Sequence, residues 1–232
     1  MRRTLRIAGT LLILAGALTL AWTLVVWQWQ DPFTSLYTKW KQHQLTSQYQ
    51  KRVEAFSAPI ATTSLADERR SIAREAKRYR ASSTRGEAIG RIRIPRMGVN
   101  LVLVNGTDHD TLKKGPGRDG RTFMPGENRL IYIAGHRTTY GAPFSHIDRL
   151  KSGDRVTIEV PYGTFIYAVT RHRIVKATDL SVLRSPKHEV VELQACHPRF
   201  FASHRYIAYA RLLRVEPRGA KPYELEAQAS GK

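Results

Sequence analysis

The sequence predicts a mainly β protein: a closed or nearly closed barrel of about eight short strands between residues 88 and 215. One membrane-crossing helix and a helical juxtamembrane segment precede it. Three observations predict this. Short runs of β-branched and aromatic residues alternate from Ala88 onward. Turn residues separate the runs at close spacing, leaving room only for brief helices, which is the texture of a barrel. An uncharged run of 24 residues, Ile7 to Gln30, lies near the N-terminus.

The uncharged run follows Arg2, Arg3 and Arg6. About 20 apolar residues cross a bilayer, whereas a signal-peptide core is roughly 7–15 residues long and ends in a small-residue cleavage site. This run is too long for the latter, and it closes on Trp27 and Trp29, residue types that suit a membrane interface. Residues 1–30 therefore read as cytoplasmic arginines and an uncleaved anchor. The positive-inside rule places everything after Asp31 outside. The 232 residues carry 38 Lys+Arg against 19 Asp+Glu, a formal charge of +19. Such an excess suits nucleic acid or an anionic surface. Outside the cell nucleic acid is excluded, and anionic lipid headgroups or a polyanionic wall become the neighbours.

Residues 31–85 are polar and basic, with apolar positions such as Leu36, Tyr37, Trp40, Leu45, Tyr49 and Val53 at helical spacing. Pro59 interrupts the pattern. A second helix is expected over 62–80, with Thr63 or Ser64 as its cap and Asp67 and Glu68 in the first turns. This segment reads as a juxtamembrane stalk or an appendage packed on the domain. The domain itself spans 86–217. "AIGRIRIPRMG", "VNLVLVNG", "RLIYIAGHRT", "RVTIEV", "GTFIYAVTRHRIVK", "EVVELQAC" and "RYIAYARLLRV" read as strands. "DHDTLKKGPGR" reads as a short helical turn that stops at Gly115-Pro116-Gly117. Pro217 ends the last strand, and residues 218–232 are expected to be a disordered tail.

Cys196 is the single cysteine, so an internal disulfide is impossible. A lone exported thiol is an inert buried side chain, a dimer bridge or a nucleophile. A nucleophile needs a base or cation to help form the thiolate. Of His43, His109, His136, His146, His172, His188, His197 and His204, one is distinctive in placement. His136 follows the apolar strand "LIYIAG", and Gly135 before it permits a sharp turn or close packing. Cys196 likewise ends the strand "VVEL". In a barrel two strand ends meet at one rim although 60 positions separate them. Arg205 opens the next strand, where a guanidinium reaches the same rim and can donate to a developing oxyanion.

These residues bring the sequence to a family. "YIAGHRTTYGAPFSHIDRLKSGDRV", "LQACHPRFFASHRYIAYARL" and "AIGRIRIPRMGVNLVLVNGTDHDTLKKGPG" resemble the histidine block, the cysteine–arginine block and the opening strands of a sortase. Sortases are the membrane-anchored cysteine transpeptidases of Gram-positive bacteria, and "GHRTTYG" is close to the class E form. The resemblance covers roughly Ala88 to Val215. It implies an eight-stranded barrel with Cys196 as nucleophile, His136 as acid/base partner and Arg205 holding the substrate carbonyl or oxyanion. It further implies cleavage of a Leu-x-x-Thr-Gly type signal on secreted proteins through a thioacyl enzyme, with a peptidoglycan precursor or pilin amine as acceptor. Class E resemblance tilts the second signal position toward Ala. The Cys–His pair would titrate as a unit.

The family's threonine before the cysteine is replaced by Ala195, and its earlier threonine by Glu192. Ala195 is thereby a candidate determinant of substrate binding, and it is the main support for a rival reading as a non-catalytic barrel that binds peptide or wall polymer. A basic wall protein with an inert thiol is a second rival. Tyr140 is a candidate groove residue or a packing residue. Asp108, His109 and Asp110 read as a solvated turn. No metal-ligand spacing and no cofactor motif is present, so neither is expected.

Overall fold

The computed structural model describes residues 2–29, 32–57 and 64–225. Helices α1 (Arg2–Trp29), α2 (Pro32–Ala55) and α3 (Leu65–Ser82) come first. Nine strands follow: β1 (Ala88–Ile94), β2 (Val99–Asn105), β3 (Gly117–Arg118), β4 (Leu130–Ala134), β5 (Arg155–Val160), β6 (Gly163–Lys176), β7 (Val190–His197), β8 (His204–Pro217) and β9 (Tyr223–Glu224). A one-turn helix α4 (His109–Leu112) links β2 to β3. The strand order is β6-β5-β1-β2-β3-β4-β7-β8, and pairing of β6 with β8 closes eight strands into a barrel.

Burial explains which runs became which walls. On β7, Val191, Leu193 and Ala195 point into the barrel with Ile131 and Ile133 of β4 and Ala208 and Ala210 of β8. The other face of these strands is covered too. Leu130, Tyr132 and Ala134 of β4 and Ile207 and Tyr209 of β8 pack outside the barrel against Val175 and Val182. Val175 belongs to the end of β6, and Val182 to the connection between β6 and β7, which holds a 3-10 turn at Leu180–Leu183. Burial on both faces is why "LIYIA" is apolar at every position.

α1 is long and apolar enough, in its Arg2–Val25 portion, to cross a membrane. The interfacial placement expected of Trp27 and Trp29 concerns side chains outside the described residues. α3 starts where expected: the Ser64 hydroxyl accepts from the Asp67 backbone N–H at 3.1 Å. Thr63, the alternative cap, and the break at Pro59 lie outside the described residues. Ile72 and Ala76 of α3 enter the barrel core.

α2 is an appendage packed on the barrel. Thr38, Gln42, Leu45 and Tyr49 recur at spacings of four and three and are buried against it. Gln42 is decisive. β1 flanks Val102 on one side, through Arg91, but β3 pairs with β2 only at Val104 and Asn105, which leaves the other side of Val102 without a strand. The Gln42 amide takes that place. Its Oε1 accepts from Val102 N at 2.7 Å, and its Nε2 donates to the Val102 carbonyl at 3.0 Å and to the Lys114 carbonyl at 2.8 Å. Gly115, with φ at 153°, keeps the space open, since a Cβ there would lie 2.3 Å from Gln42 Nε2.

The tail expectation needs correction for residues 218–225. Beyond Pro217 the chain turns at Gly219 and folds back. Tyr223 and Glu224 pair with Val215 and Arg214, and Leu225 N donates to the Leu213 carbonyl at 2.8 Å. The proline ends β8, but the next turn returns Tyr223 to pack against the core. Residues 226–232 lie outside the described residues.

Candidate active site

Register alone brings the three candidate residues together. β7 and β8 are antiparallel, with Cys196 directly opposite Arg205. β4 and β7 are parallel, with Ala134 beside Gln194, and Gly135 N donates to the Gln194 carbonyl at 3.0 Å. His136 therefore leaves β4 at the height where Cys196 ends its segment of β7. His136, Cys196 and Arg205 all line one groove of about 270 Å³, with Gln194 beside them and Leu180 and Val182 forming part of its wall.

Cys196 is half-buried and has no disulfide partner. Arg205 is held by its own loop: Nη1 donates to the carbonyls of Ala202 at 2.7 Å and His204 at 2.9 Å. Gly135 works by close packing, because a Cβ there would sit 2.7 Å from the Phe144 ring. Phe144 N donates to the His136 carbonyl at 3.0 Å, so the loop after β4 folds back over its own start.

Two further residues escape sequence reasoning. Arg137 is buried and bridges the two loops. Its Nη1 donates to the Cys196 carbonyl at 3.1 Å and lies 2.9 Å from His197 Nδ1, and its Nη2 pairs with Asp148 at 3.2 Å. The one available signal was a charge directly after His136 in a loop otherwise destined for the core. His109 is the other. Asp108 caps α4 through Thr111 N at 3.1 Å and Asp110 pairs with Lys113 at 2.8 Å, as a solvated turn would. The His109 ring nevertheless lies 6.4 Å from that of His136.

Tyr140 packs on the histidine. Its ring is 5.1 Å from His136, tilted by 40°, and its backbone takes φ of 53°. Its N–H donates to Thr34 Oγ1 of α2 at 2.9 Å, and its ring lies 6.5 Å from Tyr37. Of the two roles open to Tyr140, the packing one describes its position.

Ala195 requires correction. Strand alternation places Gln194 and Cys196 in the groove and the Ala195 methyl, fully buried, in the barrel core. The missing hydroxyl is thus a change beneath the thiol, with no gap left in the groove wall.

Burial holds the His136 pKa below its usual value, and the positive neighbours His109 and Lys113 push it further the same way. Its Nε2 is buried with no hydrogen-bond partner among the described residues. Replacing Lys113 with Gln removes one of these charges and frees Asp110. The His136 titration is then expected to move up in pH. Histidine ring NMR in a Cys196→Ala background, which uncouples the thiol, measures this. An unmoved midpoint would contradict the electrostatic account.

Glu192 shares the outward face of β7 with Gln194 and Cys196. It is 5% exposed, and its Oε2 has no hydrogen-bond partner among the described residues. Burial, opposed by Arg171 and Arg173, raises its pKa from 4.5 to about 7. The folded state therefore holds its proton to higher pH than the unfolded state does. The penalty for burying the charge is absent below about pH 4.5, grows from there to about pH 7, and is full above that. Glu192→Gln should raise Tm at pH 8 by about 2–4 °C for each kcal/mol relieved, with no gain at the acidic end. Thermal melts of both proteins across pH test this; a constant difference would refute it.

A closed barrel with a thiol, an imidazole and a guanidinium lining one rim groove defines the class of fold and site to which the chain belongs. The family model for the Sortase domain matches residues 92–213, more than half of the chain, and the chain belongs to the sortase family. It is 35% identical over 131 residues to Sortase D of Bacillus subtilis (strain 168), covering 54% of this chain and 64% of that protein. It is 27% identical over 158 residues to Sortase SrtE1 of Streptomyces coelicolor, covering 61% of this chain and 45% of that one. The chain thus spans less than two thirds of both relatives. Among solved structures, a Clostridium perfringens Sortase D5 transpeptidase superposes with TM-score 0.61 at 25% identity, over 75% of this chain and 98% of that one. Sortase E from Streptomyces avermitilis gives 0.52 at 31% identity, over 58% and 93%.

Proposed function

We propose that the chain is a membrane-anchored cysteine transpeptidase, class E-like, in which Cys196, His136 and Arg205 carry the reaction. The observation behind this reading is the direct opposition of Cys196 and Arg205 across β7 and β8, with His136 on the same groove. The Cys196 thiolate attacks the threonine carbonyl carbon of a Leu-x-x-Thr-Gly type signal. Arg205 donates to the tetrahedral oxyanion. The C–N bond breaks as the imidazolium form of His136, a minority form because burial holds its pKa low, gives its proton to the leaving amine. A thioester remains. A cell-envelope amine attacks it, neutral His136 takes that amine's proton, and the thiolate leaves.

The substrates are secreted proteins with C-terminal sorting signals, and the acceptor is a peptidoglycan precursor or pilin amine. "GHRTTYG" and the 31% identity to a sortase E support class E, although Sortase D of B. subtilis is the more identical of the two relatives. α1 holds the enzyme at the membrane, N-terminus inside and barrel outside. Ala195 lends little to the non-catalytic alternative, since its methyl faces away from the groove.

Incubating the protein with a Leu-Ala-x-Thr-Gly peptide, without an amine acceptor, is expected to leave an acyl mass on Cys196 by mass spectrometry. A peptide library varied at the second position should give the highest yield with Ala. Binding without any adduct across the library would overturn the reading in favour of a peptide-binding barrel.

A further inference from the structure

The loop between β7 and β8 carries Phe200 and Phe201, 55% and 81% exposed. It is an ordered turn. Phe201 N and Ala202 N donate to the Pro198 carbonyl at 3.3 and 3.2 Å, and Arg205 grips the Ala202 carbonyl from below. Phe200 and Ala202 have φ of 73° and 53°, a region that a phenylalanine adopts only under constraint. The turn holds the Phe201 ring in solvent and leaves more than half of Phe200 exposed.

Their location gives this a meaning. β4 and β7 are parallel, so the His136 loop and the Phe200–Phe201 loop leave the barrel at the same end. α2 begins at that end too, where Thr34 receives the Tyr140 N–H, and it runs away from it toward Gln42 and Tyr49. α1 ends at Trp29, three Cα steps before Pro32. At about 3.8 Å per step, the last residue of the apolar helix lies at most roughly 17 Å from Thr34. The rim with the groove is thus tied to the end of the chain that enters the membrane. Outside α1 and among the described residues, the strongly exposed large apolar side chains lie at this end, with the exception of Leu65. Leu36 and Trp40 occupy the first turns of α2, and Leu180 stands over the groove. Cations sit among them: the Lys41 Nζ lies 4.3 Å over the Trp40 ring, the Arg199 guanidinium 6.0 Å from the Phe200 ring, and Lys39 and Lys176 are exposed. Aromatic and aliphatic tips ringed by Lys and Arg are what an anionic bilayer surface takes up.

We propose that this rim docks onto the anionic lipid surface, with Phe200 and Phe201 entering the interface as a second membrane contact. The groove mouth then faces the bilayer at headgroup height, where a membrane-held sorting signal emerges. The proposal rests on the reading of α1 as an anchor and adds a contact that α1 does not make.

The test uses the full chain in Cys196→Ala background with a single new cysteine, Phe201→Cys or, at the far end of β7, Lys187→Cys. Each carries an environment-sensitive fluorophore and is reconstituted into phosphatidylglycerol-rich vesicles containing brominated lipid. The label at 201 should shift to the blue and be quenched, while the label at 187 should report water. Cofloating protein whose 201 label reports water as the 187 label does would overturn the docking while leaving the anchor intact. Protein that fails to cofloat would overturn the anchor and the docking together. In the native thiol background, Phe200→Ser/Phe201→Ser should lower cleavage of a lipid-tethered sorting peptide several-fold and leave a soluble peptide unaffected. Equal loss on both would assign the loop to the peptide groove and refute the membrane contact.

Discussion

Replacing Cys196 with alanine is expected to abolish acyl transfer while the fold survives. The loss should be on the order of 10⁴-fold or more, the scale on which removing a covalent nucleophile acts. Cys196 is the single cysteine of the sequence, so no second thiol can substitute for it. Stability should barely change. Cys196 is half-buried on the outward face of β7, whereas the inward positions are Val191, Leu193 and Ala195. Truncation removes one atom from an open groove and leaves no core cavity, so the cavity penalty of a core truncation does not arise. Cleavage of a sorting peptide followed by chromatography, beside a thermal melt, measures both sides. Wild-type cleavage by Cys196→Ala would end the nucleophile assignment. Lost cleavage with a collapsed melt would mean that Cys196 is structural.

The barrel was legible because its signals are local. Alternation in "VTIEV" and "GTFIYAVTRHRIVK" follows from one buried face per strand, and the observed β6 matches the second run at both ends. That Cys196, His136 and Arg205 share a groove was legible because each sits where a strand meets a loop, and a barrel rim collects such positions. What escaped depends on contacts distant in sequence. Nothing near Gln42 announces that its amide completes a strand edge 60 residues away. Nothing near Thr34 announces a hydrogen bond to Tyr140 across 106 residues. Ala195 was misplaced for another reason. Adjacency to a nucleophile in sequence suggests adjacency in the site, but a strand's period of two sends neighbouring side chains to opposite faces. The tail was misjudged because a proline that ends one strand was read as the end of order, when the following turn restarts pairing at Tyr223.

Arg205→Lys is expected to lower the acylation rate by about 10²–10³-fold, the range for loss of one oxyanion donor, although charge is conserved. Cys196 and Arg205 are directly opposite on antiparallel strands, so their Cβ atoms lie within about 4.5–5.5 Å and both side chains project into the groove. The guanidinium commits Nη1 to the Ala202 and His204 carbonyls. Its remaining N–H groups stay in a fixed plane, aimed by that anchorage. A lysine ammonium is a single point on a flexible stem. It can satisfy the loop carbonyls or reach an oxyanion, and it cannot do both from one geometry. Alkylation of Cys196 forms no oxyanion, so it should fall less than peptide acylation does. Single-turnover acylation and iodoacetamide alkylation, measured side by side on Arg205→Lys and Arg205→Ala, separate the two contributions. If lysine restores acylation to the arginine level, the role of Arg205 is charge alone and the oxyanion assignment fails. If alkylation and acylation fall together in the lysine variant, the arginine acts by holding the Ala202 turn, and its place in the reaction is that of a positioning residue.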